Sequence, residues 1–112
     1  MTKLTAELDR GNHTWTLKLI GSVDSGTAQH MWFYDSSASL LAELVRARAK
    51  TLFIDLLAAE AIDSHGLRHL LNAQKEFSRA NVEIVLQKPN PHLKRLFRIM
   101  QFDRVFVVES DE

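Results

Sequence analysis

The chain predicts an α/β fold, a mixed sheet packed against helices, and three observations carry that expectation. Segments with the two-residue period of strands alternate with segments of the 3.6-residue period of helices, and no linker separates them. Residues 51–57, Thr-Leu-Phe-Ile-Asp-Leu-Leu, form an apolar run holding one acid, which is how a strand covered on both faces reads. Leu67, Leu70, Leu71 and Phe77 follow at helical spacing after only a short turn.

Taken in order, Trp15-Thr16-Leu17-Lys18-Leu19 alternates as a half-buried strand does, and residues 3–8 are expected to pair with it across Gly11-Asn12. Leu40, Leu41, Leu44 and Val45 make the apolar stripe of a helix ending in Arg46-Ala47-Arg48-Ala49-Lys50, where cations suit the negative end of the dipole. Val82, Ile84 and Leu86 share one face of a short strand. Pro89-Asn90-Pro91 then breaks the chain, with Asn90 as N-cap and Pro91 at the first helical position. Leu93, Leu96, Phe97 and Met100 are the predicted buried stripe of that helix, and the acidic end, residues 109–112, is expected to fray.

With 112 residues, 46% of them hydrophobic and 25% charged, the chain fits one globular domain spanning residues 1–112. Fourteen basic residues balance fourteen acidic ones, so no global field attracts nucleic acid. The absence of cysteine excludes disulfides, thiolate catalysis and cysteine metal sites. No apolar stretch approaches the roughly 20 residues that span a bilayer, and residues 1–10 lack the centre of a signal peptide. A soluble, cytoplasmic domain without membrane insertion is expected.

Asp63-Ser64-His65-Gly66 stands where a strand gives way to a helix. The first amides of a helix lack partners within it, and the dipole places about half a positive charge there, so the turn suits a phosphate. Its plainest role is capping by Asp63 or Ser64, worth about 1 kcal/mol.

The same residues carry a family resemblance. Leu19-Ile20-Gly21-Ser22-Val23-Asp24 with Thr27-Ala28, then Asp55 before Ile62-Asp63-Ser64-His65-Gly66-Leu67, then Asn90-Pro91-His92-Leu93-Lys94-Arg95-Leu96-Phe97 with Phe102-Asp103-Arg104-Val105-Phe106, resemble in order the segments of the STAS domain. This family is shared by anti-sigma factor antagonists and the tails of sulfate transporters. The resemblance implies a STAS-like mixed sheet of four to five strands packed against about four helices. It also implies a non-enzymatic protein-binding switch without cofactor, acting by partner switching in the regulation of transcription. Ser64 would be the phosphate acceptor, and an anti-sigma factor serine kinase and a cognate phosphatase would be partners, with other STAS proteins as a further class. Asp24, Asp55, Asp63, His65 and Gly66 would form the partner or nucleotide-binding surface, with Asp24 and Asp55 flanking the turn. The alternative is an accessory STAS subunit of a lipid or anion transporter, where the domain is a docking module.

The chain departs from the commonest family pattern at His65, where a second serine is usual. An imidazole there either hydrogen-bonds a phosphate on Ser64 or hinders a kinase by its bulk. Residues 29–39 exceed what the family's first helix requires and hold Met31, Trp32, Phe33 and Tyr34 together, either a buried aromatic cluster or a partner-binding patch. Ser64 and His65 do not make a nucleophile and base, since neighbours on a helix do not face each other and no Gly-x-Ser-x-Gly elbow is present. His65 and His69 share a helix face, yet a zincin glutamate and a third ligand are missing, and no metal is expected.

Overall fold

The computed structural model describes residues 4–34 and 36–109. Lys3 of the expected first strand, Asp35 of the 29–39 stretch, and residues 110–112 of the acidic end lie outside them. Strand β1 (Thr5–Arg10) and β2 (Thr14–Val23) form a hairpin, with Thr5 opposite Ile20 and Arg10 opposite Trp15. A short 3-10 helix (Ala28–Trp32) leads to α1 (Ser37–Arg46), then β3 (Thr51–Asp55), β4 (Ala59–Ile62), α2 (Ser64–Arg79), β5 (Glu83–Gln87) and α3 (Pro91–Ile99). A second 3-10 helix (Phe102–Arg104) and β6 (Val107–Glu109) follow. The sheet has six strands in the order β1-β2-β3-β5-β6, and β4 pairs with β2.

Apart from β1, every pairing is parallel, and the steps from β2 to β3, β3 to β5 and β5 to β6 cross the sheet in one direction. Right-handed crossovers then place the helices on one face. Burial agrees. Leu17, Leu19, Leu52, Ile54, Ile84 and Leu86 are buried on the helical face, while Thr16, Lys18, Phe53 and Asp55 on the other face are half-buried. Burying a leucine or isoleucine of this kind stabilises by roughly 1.5–3 kcal/mol, so the helical face holds the domain together.

Several expectations are corrected. The expected mixed sheet packed against helices is present, with six strands among the described residues where four to five were expected, and three α-helices with two 3-10 turns where about four helices were expected. Residues 51–57 are not one strand covered on both faces: β3 stops at Asp55, its burial alternates, and Leu57 is 61% exposed. The strand entering the serine turn is β4, whose alanines and glutamate carry little strand propensity and are held by pairing to the upper half of β2. Gly21 makes this change of neighbour possible. It sits at the register shift with φ 107, a conformation that side chains rarely adopt, and its N–H donates to Ala58 O at 3.0 Å. The stripe of α3 ends at Phe97, since Met100 is already the C-cap and is 51% exposed. Val45, placed in the stripe of α1, is exposed too, whereas Leu40 and Leu44 are buried.

The aromatic stretch divides. Met31 and Trp32 are buried, and Trp32 lies 6.3 Å from the Phe77 ring of α2. Phe33 turns outward at 45% exposure with φ 69 and ψ −42, and Tyr34 N–H donates to Trp32 O at 2.7 Å. This is a γ-turn, a conformation that costs a non-glycine residue about 1–3 kcal/mol. Arg10 offsets the strain. Its guanidinium carbon is 5.5, 5.7 and 5.9 Å from the ring centroids of Trp15, Phe33 and Tyr34, and it donates to the Tyr34 hydroxyl. A cation–ring contact at an exposed site is worth about 0.5–1 kcal/mol, the same order as the lower end of that strain.

Candidate functional site at the start of helix α2

Asp63 is the N-cap of α2. Its Oδ1 accepts the His65 and Gly66 N–H groups at 2.9 and 3.1 Å, satisfying two amides that the helix leaves unpaired. Its own N–H donates to Val23 O at 3.0 Å, which ties the cap to the end of β2. Partial burial works against ionisation of Asp63, but the Gly66 and His65 amides and the His65 imidazole outweigh it and hold the carboxyl below the ordinary aspartate value.

Gly66 allows this close seating of helix on sheet. A Cβ there would lie 2.6 Å from Val23 Cγ1 and 2.7 Å from Ile62 Cγ2, distances that nothing but glycine tolerates without displacement. Ser64, at the first helical position, is exposed, and its hydroxyl bonds to no group among the described residues. His65 Nδ1 lies 3.5 Å from Asp63 Oδ2.

The end of β2 supplies the second acid. Asp24 Oδ1 accepts Gly26 N–H at 2.9 Å, Asp24 N–H donates to Thr27 Oγ1 at 2.9 Å, and that hydroxyl donates to Ser22 O at 2.9 Å. Ala28 N–H closes the corner on Asp24 O at 2.7 Å. Since Val23 receives the Asp63 amide, this corner adjoins the start of α2, and the structure brings Asp24, Asp63, Ser64, His65 and Gly66 to the C-terminal ends of the paired strands β2 and β4.

Asp55 stands apart from them. It is level with Lys18 on the half-open sheet face, five residues below Val23, which at 3.3 Å per residue is about 16 Å. Its Oδ1 accepts Leu57 N–H at 2.9 Å and turns the chain toward β4. Pairing β4 to β2 lengthens the path between Asp55 and Asp63, which the apolar run of the sequence conceals. Sequence reasoning also missed the bracing of the site by Asn90, whose Oδ1 caps α3 at Leu93 N–H (2.8 Å) while Nδ2 donates to Ala59 O and Glu60 O at 3.2 and 3.3 Å. An asparagine N-cap is visible from sequence, but its second set of bonds is tertiary. Among the described residues no group of three or more His, Cys, Asp or Glu side chains could hold a metal ion, and no helix is long and apolar enough to cross a membrane.

An exposed alcohol on an electropositive helix end, directly after the Asp63 carboxylate, can carry a phosphate electrostatically, yet each added charge adds to that of Asp63. Comparison with known proteins bears on this geometry. No curated protein matches the chain in sequence. SpoIIAA in its unphosphorylated form, an anti-sigma factor antagonist, shares 14% identity over 96% of this chain and 89% of its own, with a TM-score of 0.68. Its phosphorylated form, from Bacillus, superposes at 0.67 over 96% and 93% with the same identity. An anti-sigma factor antagonist from Mycobacterium paratuberculosis shares 19% over 96% and 86%, at 0.76. These likenesses establish the SpoIIAA-like fold. The family model of the STAS domain matches residues 5–112, and the chain therefore belongs to the STAS domain family.

Proposed function

We propose that this chain is an anti-sigma factor antagonist whose partner binding is controlled by phosphorylation of Ser64. The single observation that carries the reading is the placement of Ser64: exposed, first in α2, beside a cap that is already ionised. The similar folds of anti-sigma factor antagonists, one of them described in both phosphorylation states, support it. In this reading a serine kinase that is itself the anti-sigma factor moves the γ-phosphoryl group of ATP to Ser64 Oγ, and ADP and the hydroxyl proton leave. The product adds about 1.5–2 negative charges at neutral pH.

Asp63 already occupies the His65 and Gly66 amides, so the phosphate meets a helix end whose positive charge is partly spent. The fold tolerates the group because it stands in solvent, while a partner closing over it would have to desolvate a phosphate next to Asp63. Partner release follows, and a phosphatase restores the unmodified surface. The domain acts by binding and performs no catalysis of its own.

Incubation with the cognate kinase and ATP tests this. One phosphate is expected at Ser64, Ser64→Ala is expected to abolish incorporation, and Ser64→Asp to weaken kinase binding. Undiminished incorporation into Ser64→Ala rejects the acceptor assignment.

A further inference from the structure

The residues around Arg10 have no part in the chemistry of Ser64, yet they enclose a strained segment that begins at the Asp24 corner. From Asp24 to Tyr34 the chain is one connected run. Thr27 and Ala28 N–H donate to Asp24 O, His30 N–H donates to Thr27 O, and Tyr34 N–H donates to Trp32 O. The inner side of this run is fixed by Ala28, Met31 and Trp32, all buried. Its outer side is fixed by a different device: Phe33 and Tyr34, packed edge to face at 5.2 Å, close around the guanidinium of Arg10 together with Trp15.

We propose that Arg10 is a positioning residue for the Asp24 corner of the serine surface, acting through a clasp with Trp15, Phe33 and Tyr34 that holds the 3-10 segment wound. The physical reasons are two. A 3-10 helix has poorer hydrogen-bond geometry than an α-helix and persists in short pieces only when its ends are held. Phe33 ends this one in a left-handed conformation that the chain leaves as soon as nothing compensates it. Without the clasp Phe33 relaxes to negative φ, the Tyr34 to Trp32 bond opens, and the segment unwinds toward Thr27. Thr27 is the residue whose hydroxyl joins Asp24 N–H to Ser22 O, so the loosening reaches the corner itself. The β1 edge of the sheet thereby governs the order of the Asp24 loop, although Arg10 touches neither Asp24 nor Ser64 in any described contact.

The relevance of this corner to a partner rests on the function proposed above, but its order is measurable on the isolated chain. A failure here and a failure of Ser64 phosphorylation are therefore distinguishable. Amide hydrogen exchange on the 112-residue chain, read residue by residue by NMR, supplies the test. Arg10→Ala is expected to speed exchange at Gly26, Thr27, Ala28 and Tyr34 at least tenfold, while Leu19, Ile54 and Leu86 in the sheet stay unchanged. Tyr34→Phe, which keeps the ring and removes the bonded hydroxyl, is expected to give a smaller change at the same amides. Arg10→Lys, which keeps the cation, is expected to restore part of the protection.

Two outcomes overturn the proposal. In one, Tyr34 exchanges faster while Gly26 to Ala28 keep their protection, so the clasp is local. In the other, sheet and corner amides accelerate together, so Arg10 only adds global stability. If Arg10→Ala fails to fold, Tyr34→Phe decides by the same two criteria.

Discussion

Two segments of this chain carry it from strand to helix at the C-terminal ends of the neighbouring strands β2 and β4, and they are built in opposite ways. The turn from β4 into α2 is held by neighbours: Asp63 caps His65 and Gly66, and Gly66 lets the first helical turn rest on Val23 and Ile62. The path from β2 into α1 is held by distant partners, with Trp32 against Phe77 inside and Arg10 around Phe33 and Tyr34 outside. A phosphate acceptor belongs on the first kind, because a cap and a glycine fix the backbone while leaving the serine itself in solvent. The second kind suits a surface whose order is adjustable, since it depends on contacts that a single substitution removes.

Substitutions break or sharpen this contrast. The largest effect is expected from Trp32→Ala, which empties a site only 1% exposed and should cost about 3–5 kcal/mol by urea unfolding. A loss well under that range would mean that the inner side of the β2–α1 path is not anchored in the core. Gly66→Ala comes next, at about 1–3 kcal/mol, because the added methyl must displace Val23 and Ile62. No change in its denaturant midpoint would show that the helix seat has slack.

Asp63→Ala should cost about 1 kcal/mol at neutral pH through loss of the cap. Asp63→Asn keeps a capping oxygen and removes the titration, and the two together divide geometry from charge. The folded Asp63 carboxyl lies below its ordinary value, so its ionic contribution is fully present above the unfolded aspartate pKa and is lost as pH falls through the folded one. The side chain is 42% exposed, which keeps that contribution small. A pH titration of stability in Asp63→Asn should therefore be slightly flatter on its acid limb than in the parent. A steeper limb contradicts the cap geometry.

The smallest effect is expected from the more conservative of two changes at Asn90. Asn90→Asp retains the α3 cap and loses the donors to Ala59 O and Glu60 O, so it should cost less than Asn90→Ala, which loses both. An Asn90→Asp variant that melts at the same temperature as the parent would remove Asn90 as a brace of β4.

The same contrast explains what the sequence revealed. Caps, a glycine and helical periodicity are local signals, so the start of α2 and the Asn90-Pro91 start of α3 were legible from residue order alone. The hairpin was legible for the same reason, its strands alternating on either side of Gly11-Asn12. β4 was not, because Ala59–Ile62 is a strand only by virtue of the β2 backbone beside it. The family resemblance implies that Asp55 flanks the turn, and spacing along the chain says nothing of β4, the strand that lies between Asp55 and Ser64. The aromatic stretch posed a fork that composition could not resolve, and the structure divides it, with Met31 and Trp32 buried, Tyr34 half-buried and Phe33 exposed. Met100 followed the period of α3 but fell beyond its end, where periodicity no longer governs burial.

The acceptor role of Ser64 is tested most directly by intact-mass and fragment-mass spectrometry of the chain isolated from its native cells. The expected result is a population heavier by one phosphoryl group, with the added mass on the peptide that holds Ser64 and absent when Ser64 is replaced by alanine in the same cells. A chain that stays unmodified under every growth condition, or one whose phosphate maps to another residue, would contradict the account.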